Sequence, residues 1–260
     1  MAVNLNDFLQ LRKEGTMDKT FFAGIKIEEF DFSGVRIRFP ICYFDSSTMV
    51  AIFPAPAAKV QEVLPSNKLK PVQLMPGTAT IALSAMEHRH VDSLGSYNEF
   101  GIMMPVVYET ADNVPGLPGL YFLHLPVTTE EARLGGVEIH GYPKFIAGIS
   151  FEDAGEMRRC RVRAEGKDII TLEVRKLVTE PQSSEFYTYT VKNGQILRTL
   201  VQQQGHVGTS DVSEGASFTL GDHPIAEELQ ALGMDKTSVL HQYTPQSQSM
   251  FHLPGERLPL

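Results

Sequence analysis

One hairpin constrains this chain more than any other feature. Phe186-Tyr187-Thr188-Tyr189-Thr190-Val191 is followed by Asn193-Gly194 and then by Gln195-Ile196-Leu197-Arg198-Thr199-Leu200-Val201. Aromatic and β-branched residues favour the pleated, half-buried surface of a sheet. Asn-Gly is the preferred pair for a two-residue type I′ turn, which needs positive φ at both positions. A second hairpin follows the same logic, with Arg159-Cys160-Arg161-Val162-Arg163 running through Glu165-Gly166 into Lys167-Asp168-Ile169-Ile170-Thr171-Leu172-Glu173-Val174. Val35-Arg36-Ile37-Arg38-Phe39 alternates with period two, as a strand with one buried face does. Further strands are expected at 49–53, 78–86, 100–108, 120–126, 145–151 and 249–253.

Helical signals are few. Residues 57–64 lie between Pro56 and Pro65, and 130–134 follow the N-cap candidates Thr128 and Thr129. Residues 224–232 have Asp222 or His223 as cap, Pro224 in the first turn and Gly233 past the end. The stretch 111–119, with two prolines and two glycines, reads as a turn cluster rather than a boundary. Many strands with three short helices predict an α+β, mostly β protein: a curled sheet or β-barrel in one domain over residues 1–260. Such a barrel can enclose a small-molecule cavity.

Composition narrows the function. The chain has 260 residues, is 42% hydrophobic, and carries a formal charge of -8. That charge argues against nucleic acid or an anionic membrane as partner. No run of 18 apolar residues occurs. The first residues, Met1-Ala2-Val3-Asn4-Leu5-Asn6-Asp7, lack the basic and apolar regions of a signal peptide, so a cytoplasmic protein is expected. Cys42 and Cys160 form no zinc or disulfide pattern and read as reduced core thiols.

Chemistry concentrates at Lys144, in Gly135-Gly136-Val137-Glu138-Ile139-His140-Gly141-Tyr142-Pro143-Lys144-Phe145. This lysine follows a Gly-Tyr-Pro turn and precedes an apolar segment, so it is expected to be desolvated. Burial disfavours an ammonium ion, and a neutral amine can attack a ketone to form a Schiff base.

Glu138-Ile139-His140-Gly141-Tyr142-Pro143-Lys144 resembles the Schiff-base lysine motif of the acetoacetate decarboxylase family. Ser96-Tyr97-Asn98-Glu99-Phe100-Gly101-Ile102-Met103-Met104-Pro105-Val106 is similar to that family's Tyr-x-Glu strand. Leu220-Gly221-Asp222-His223-Pro224 and a last strand near Met250-Phe251-His252-Leu253-Pro254 also fit. The resemblance implies a β-barrel-based fold, a homo-oligomer, and no metal or organic cofactor. It makes Lys144 and Glu99 the catalytic candidates. Tyr97 shares a strand face with Glu99, and Phe145 and Met86 are apolar, so these three are read from the residues themselves as substrate-binding candidates. The implied reaction is that of a carbon–carbon lyase on a small oxo acid. In that family the reactive lysine is a standing example of an amine activated by desolvation or a neighbouring cation.

The chain departs from the decarboxylase pattern where that neighbour should be. The family's second lysine is replaced by Phe145. Its active-site arginine has no counterpart in Tyr43-Phe44-Asp45-Ser46-Ser47-Thr48, although Arg36 and Arg38 are near. Its other glutamate is missing around Ala82-Leu83-Ser84, with Glu87 the nearest acid. These departures shift the expectation toward aldolase-dehydratase chemistry, with an aldehyde as co-substrate, without removing decarboxylation. Two rivals stand beside it. One is a non-catalytic ligand-binding barrel of the same fold. The other is a metal-dependent barrel using His88 and His90. His140 reads as a turn or backbone hydrogen-bonding residue, Tyr187 and Tyr189 as cross-strand packing, and Arg158, Arg159, Arg161 and Arg163 as an exposed face opposite acids.

Overall fold

The structure is a computed structural model, and it describes residues 12–14, 17–32, 34–109 and 115–260. In chain order the strands begin with β1 (Arg12–Glu14), β2 (Glu28–Phe32), β3 (Val35–Phe39) and β4 (Ile41–Pro56). Helix α1 (Ala57–Val63) leads to β5 (Leu69–Pro71), β6 (Gln73–Met75), β7 (Thr78–Val91), β8 (Tyr97–Glu109) and β9 (Pro115–His124). Helix α2 (Glu130–Gly135) precedes β10 (Gly148–Ala154), β11 (Met157–Ala164), β12 (Lys167–Arg175), β13 (Glu180–Lys192), β14 (Gln195–Ser210) and β15 (Ala216–Leu220). Helix α3 (Pro224–Ala231), β16 (Leu240–Phe251) and β17 (Glu256–Pro259) complete the chain.

Seven strands close a barrel in the order β13-β9-β8-β7-β4-β16-β14, with β14 pairing back onto β13. All neighbours are antiparallel except β9 and β13, which pair in parallel over Gly119–Tyr121 and Tyr187–Tyr189. A four-stranded sheet, β10-β11-β12-β15, packs outside. Strand alternation makes this two-layer arrangement work. On β8, Phe100, Ile102 and Met104 face the outer sheet and are buried in the main core with Cys160, Val162 and Leu172. Glu99 and Met103 face the barrel interior. Phe53 of β4 meets Phe218 of β15 edge-to-face at 4.8 Å. Complete burial of each such ring contributes about 1.5–3 kcal/mol.

Both expected hairpins form, and Asn193, Gly194, Glu165 and Gly166 all have positive φ. Ile37 and Phe39 are buried while Arg36 and Arg38 are exposed, as the alternation requires. Helix α3 is capped by His223, whose Nδ1 accepts from the Ile225 amide. Thr129 is N-cap of α2, but its side chain makes no cap hydrogen bond. Cys42 and Cys160 are free and buried.

Several expectations need correction, among them the strand placed at 249–253, which runs Leu240–Phe251. The strand placed at 120–126 runs Pro115–His124, so the turn cluster at 111–119 is partly strand; 111–114 lie outside the described residues. The strand placed at 145–151 starts at Gly148. Residues before it form single bridges instead, with Val127 N donating to Phe145 O and Ala147 N donating to Val127 O. Arg158 is not an exposed arginine. Its guanidinium packs 4.9 Å from the centre of the Phe151 ring and donates to Glu87. Arg159, Arg161 and Arg163 do face acids, pairing with Glu173 and Asp168. The N-terminal run Met1–Asp7 lies outside the described residues. No described helix is long and apolar enough to cross a membrane.

Candidate active site

The lysine reaches the barrel by an unusual backbone path. Helix α2 continues without a break into a π-helical turn, Gly136–His140. Such turns are rare and are often found at functional sites. Gly141 ends it at φ 69°, and a Cβ there would lie 2.7 Å from the Val191 carbonyl oxygen. Only glycine meets both conditions. Lys192 of β13 donates to the carbonyls of Val137 and Glu138, which fixes the turn against the barrel. Pro143 then accepts from the Leu125 amide just past β9, and the Lys144 side chain reaches Glu99 near the start of β8.

Lys144 Nζ donates to Glu99 Oε2 at 2.6 Å, and the two side chains are only 7% and 8% exposed. A buried ion pair of this kind is held by direct attraction against a large desolvation cost. Two aromatic rings flank the ammonium. The centroids of Tyr97 and Tyr142 lie 5.6 and 5.9 Å from Nζ. Such contacts favour a cation at the ring face. The Tyr97 and Tyr43 hydroxyls are 2.8 Å apart. Burial, and then the nearby Glu99 charge, raises the Tyr97 phenol well above its ordinary range, so it stays a proton donor. The Tyr142 hydroxyl is bonded to Thr188 Oγ1 at 2.6 Å.

His140 is buried, and its Nε2 lies 2.8 Å from the His252 carbonyl oxygen. Burial lowers its pKa to about 4, so the ring is neutral at pH 7. His88 is likewise neutral, pushed down to about 3 by burial and then by the Lys144 charge. Its Nδ1 lies 2.8 Å from Ser46 Oγ, and its ring packs between Tyr43 and Tyr97.

Two internal spaces meet at Glu99. The barrel interior holds a cavity of about 190 Å³, bordered by Met86, Met103 and residues of β4 and β16. A chamber of about 20 Å³ lies against Lys144, Tyr43, His140 and Tyr142. Glu99, Phe122 and Phe251 border both spaces. The carboxylate therefore stands between the amine and the larger cavity.

The sequence-derived site residues divide accordingly. Lys144, Glu99 and Tyr97 are brought together. Met86 sits opposite Glu99 in the β7–β8 register and lines the larger cavity. Phe145 lines neither space; its ring stands edge-on to His124 at 6.5 Å. His88 and His90 diverge, because the β4–β7 register shifts between them: His90 pairs with Asp45 and His88 with the next residue, Ser46. His88 is buried, whereas His90 is exposed and packs on Phe44. Among the described residues no three His, Cys, Asp or Glu side chains gather as metal ligands. Glu87 is bound by Arg158. Arg36 and Arg38 pair with Glu29 and Asp92. Tyr43, Gly136 and Phe251 were not singled out from sequence. The Gly135-Gly136 pair was the one available signal, since adjacent glycines before a reactive residue mark close approach.

A closed β-barrel with an internal cavity and a lysine embedded against a carboxylate defines a small class of proteins. The chain belongs to the acetoacetate decarboxylase family: the family model described as Acetoacetate decarboxylase (ADC) matches residues 33–249. Its fold is similar to acetoacetate decarboxylase from Legionella pneumophila, at 14% identity and TM-score 0.59 over 84% of this chain and 87% of that one. It is also similar to MppR, an enduracididine biosynthesis enzyme, solved in complex with pyruvate, at 14% identity and TM-score 0.58 over 83% and 91% of the two chains. MppR bound to the condensation product of pyruvate and imidazole 4-carboxaldehyde matches at 13% identity and TM-score 0.55, over 82% and 89%. No curated protein matches the chain by sequence. At these identities the structural likeness establishes the fold alone.

Proposed function

We propose that this protein is a carbon–carbon lyase that holds a small oxo acid as an iminium on Lys144. The observation that carries the reading is the buried 2.6 Å contact between Lys144 Nζ and Glu99 Oε2 at the edge of the barrel cavity. An amine attacks only when unprotonated, and here the proton acceptor is already in hydrogen-bond contact. Glu99 takes the proton from Nζ, and Nζ adds to the substrate carbonyl carbon. The protonated Glu99 gives that proton to the alkoxide, then takes a second proton from the nitrogen and passes it to the hydroxyl, which leaves as water as the iminium forms.

The resulting iminium draws electrons from the neighbouring carbon. In a 3-oxo acid the bond to the carboxylate breaks, carbon dioxide leaves, and the enamine is reprotonated. In a pyruvate-like acid Glu99 removes a proton from the carbon next to the iminium. The enamine then attacks an aldehyde, and water is lost. That MppR is solved with pyruvate and with a pyruvate–aldehyde condensation product supports the second branch. So does Phe145, which stands where orthodox decarboxylases carry a second lysine. A homo-oligomer, a cytoplasmic setting and one unit across residues 1–260 belong to the same reading.

One feature favours a non-catalytic binding barrel. Lys144 lies behind Glu99 and faces a chamber of only about 20 Å³. Borohydride trapping with pyruvate and with acetoacetate, read by intact mass and peptide mapping, separates the two readings. A reduced adduct on Lys144 is expected, and carbon dioxide release from acetoacetate then assigns the branch. No adduct with either ketone, while ligand still binds, would leave the binding barrel.

A further inference from the structure

The barrel interior has an uneven wall. Near Glu99 the inward positions of β4 and β16 carry hydroxyls, with Thr48 paired to Thr244 and Ser46 to Ser247. Across the cavity β8 and β9 present Met103, Pro105, Leu120 and Phe122. Among the described residues that line this space there is no lysine or arginine. Its ionisable groups are Glu99, Glu185 and His88. Glu99 is already engaged by Lys144. Glu185 is exposed and accepts from Gln202 Nε2. His88 is neutral. The wall therefore supplies hydrogen bonds and apolar contact but no positive charge. A carboxylate moved there would give up its hydration with no counterion in return.

The space is also large for the small oxo acids. A single water needs roughly 10–15 Å³ of such volume, and the cavity offers about 190 Å³. Gly101, the inward residue between Glu99 and Met103, helps keep it open. A Cβ at that position would lie 3.2 Å from Met103 Sδ and 3.3 Å from the Phe122 ring. Among the described residues, two cavity side chains also hold buried atoms without a hydrogen-bond partner, His88 Nε2 and Gln182 Oε1.

We infer that this cavity is a subsite for the distal part of the substrate, and that this part is an uncharged chain with hydrogen-bonding groups rather than a second carboxylate. The inference rests on Lys144 as the residue that takes the carbonyl. The carbonyl end lies at Glu99 and the chain extends past Met86 and Gly101. Amide or hydroxyl groups meet the threonine, serine and glutamine side of the wall, and methylene groups meet Met103 and Phe122. Discrimination follows from what the wall cannot do, because a second anion would find no cation there.

The test is a pair of near-isosteric probes that differ in one charge, 2-oxoglutaramate and 2-oxoglutarate. Binding is read by isothermal titration on the wild type and on Lys144→Gln, which keeps a donor beside Glu99 but cannot form an imine. The amide is expected to bind at least about tenfold more tightly than the dicarboxylate in both proteins. Thr48→Arg, or Gln203→Arg if the first fails to fold, plants the missing cation and is expected to reverse the order. Equal affinity, preference for 2-oxoglutarate in the wild type, or binding of neither probe overturns the subsite. If the preference holds but borohydride traps no adduct, the subsite stands and the iminium reading falls.

Discussion

Gly136 and Lys144 pack so closely that a Cβ on the glycine would lie 2.5 Å from the lysine Cδ and 2.6 Å from its Cε. The π-helical turn thus presses its own backbone against the arm of the lysine that follows it. This contact, with Glu99 at the far end, leaves Lys144 one course through the barrel wall. Gly136→Ala is expected to displace Nζ from Glu99. Misplacement of a reacting atom by about 1 Å can cost on the order of 10²-fold in rate. Trapping yield and turnover should fall together while the far-ultraviolet spectrum stays native. Unchanged trapping would mean that the glycine serves the turn alone.

The ion pair itself is open to a double-mutant cycle. Lys144→Met is expected to abolish adduct formation. It also strands a buried carboxylate, at a cost of about 3–5 kcal/mol. Urea unfolding should show that loss in Lys144→Met and a much smaller one in Lys144→Met/Glu99→Leu, where neither charge remains. If the single and double variants were equally unstable, the instability would come from packing rather than from the unpaired charge.

Acid should destabilise the fold through its buried histidines. His140 and His88 are held neutral with pKa values near 4 and 3, against an ordinary value of 6.5. Above pH 6.5 neither state binds the proton, and these groups leave stability unchanged. As the pH falls below 6.5 the unfolded chain takes up protons that the folded chain refuses. Stability is therefore lost between pH 6.5 and about 4 for His140, and down to about 3 for His88. Each contributes a slope of about 1.4 kcal/mol per pH unit. Denaturant midpoints at several pH values measure it, and His88→Gln should flatten the slope by one proton's worth.

With its hydroxyl 2.8 Å from that of Tyr43 and the Glu99 charge beside it, Tyr97 is expected to act through these two residues rather than on substrate carbon. Tyr97→Phe removes the 2.8 Å contact to Tyr43 and should cost about 0.5–1.5 kcal/mol of stability. Turnover should drop about tenfold with KM little changed, since a positioning group affects the reacting geometry more than binding. A matching rise in KM would place Tyr97 in contact with substrate.

Much of this was legible in the sequence, for identifiable reasons. Period-two alternation and the Asn193-Gly194 turn are local signals, and both hairpins formed as read. Glu99 and Tyr97 share a strand face, so their meeting followed from spacing once the strand was identified. Lys144 was read as buried, and it is. What escaped is non-local. Nothing beside Tyr43 indicates that β4 carries it under Tyr97, because that contact depends on the pairing of β4 with β7. Phe145 looked like a pocket residue from its place beside Lys144. Its neighbours form isolated bridges rather than a strand, so adjacency in sequence did not become adjacency in the site. His88 and His90 were matched on the rule that alternate residues share a face. The register shift around Asp45 defeats that rule.

The closure of the ring has a consequence for how the chain must assemble. Strand β4, at Ile41–Pro56, finds one neighbour soon in β7, but its other edge is covered only by β16, at Leu240–Phe251. The whole stretch from Ala57 to Val239 has to emerge before that edge is capped, and contacts of such wide sequence separation form slowly. Until then two bare edges, on β4 and β14, offer unpaired amides and carbonyls to any passing strand. β16, the last of the seven barrel strands to arrive, is therefore the guard of the nascent chain against aggregation. Lesions in β16 far from Lys144 should show first as lost soluble protein during synthesis.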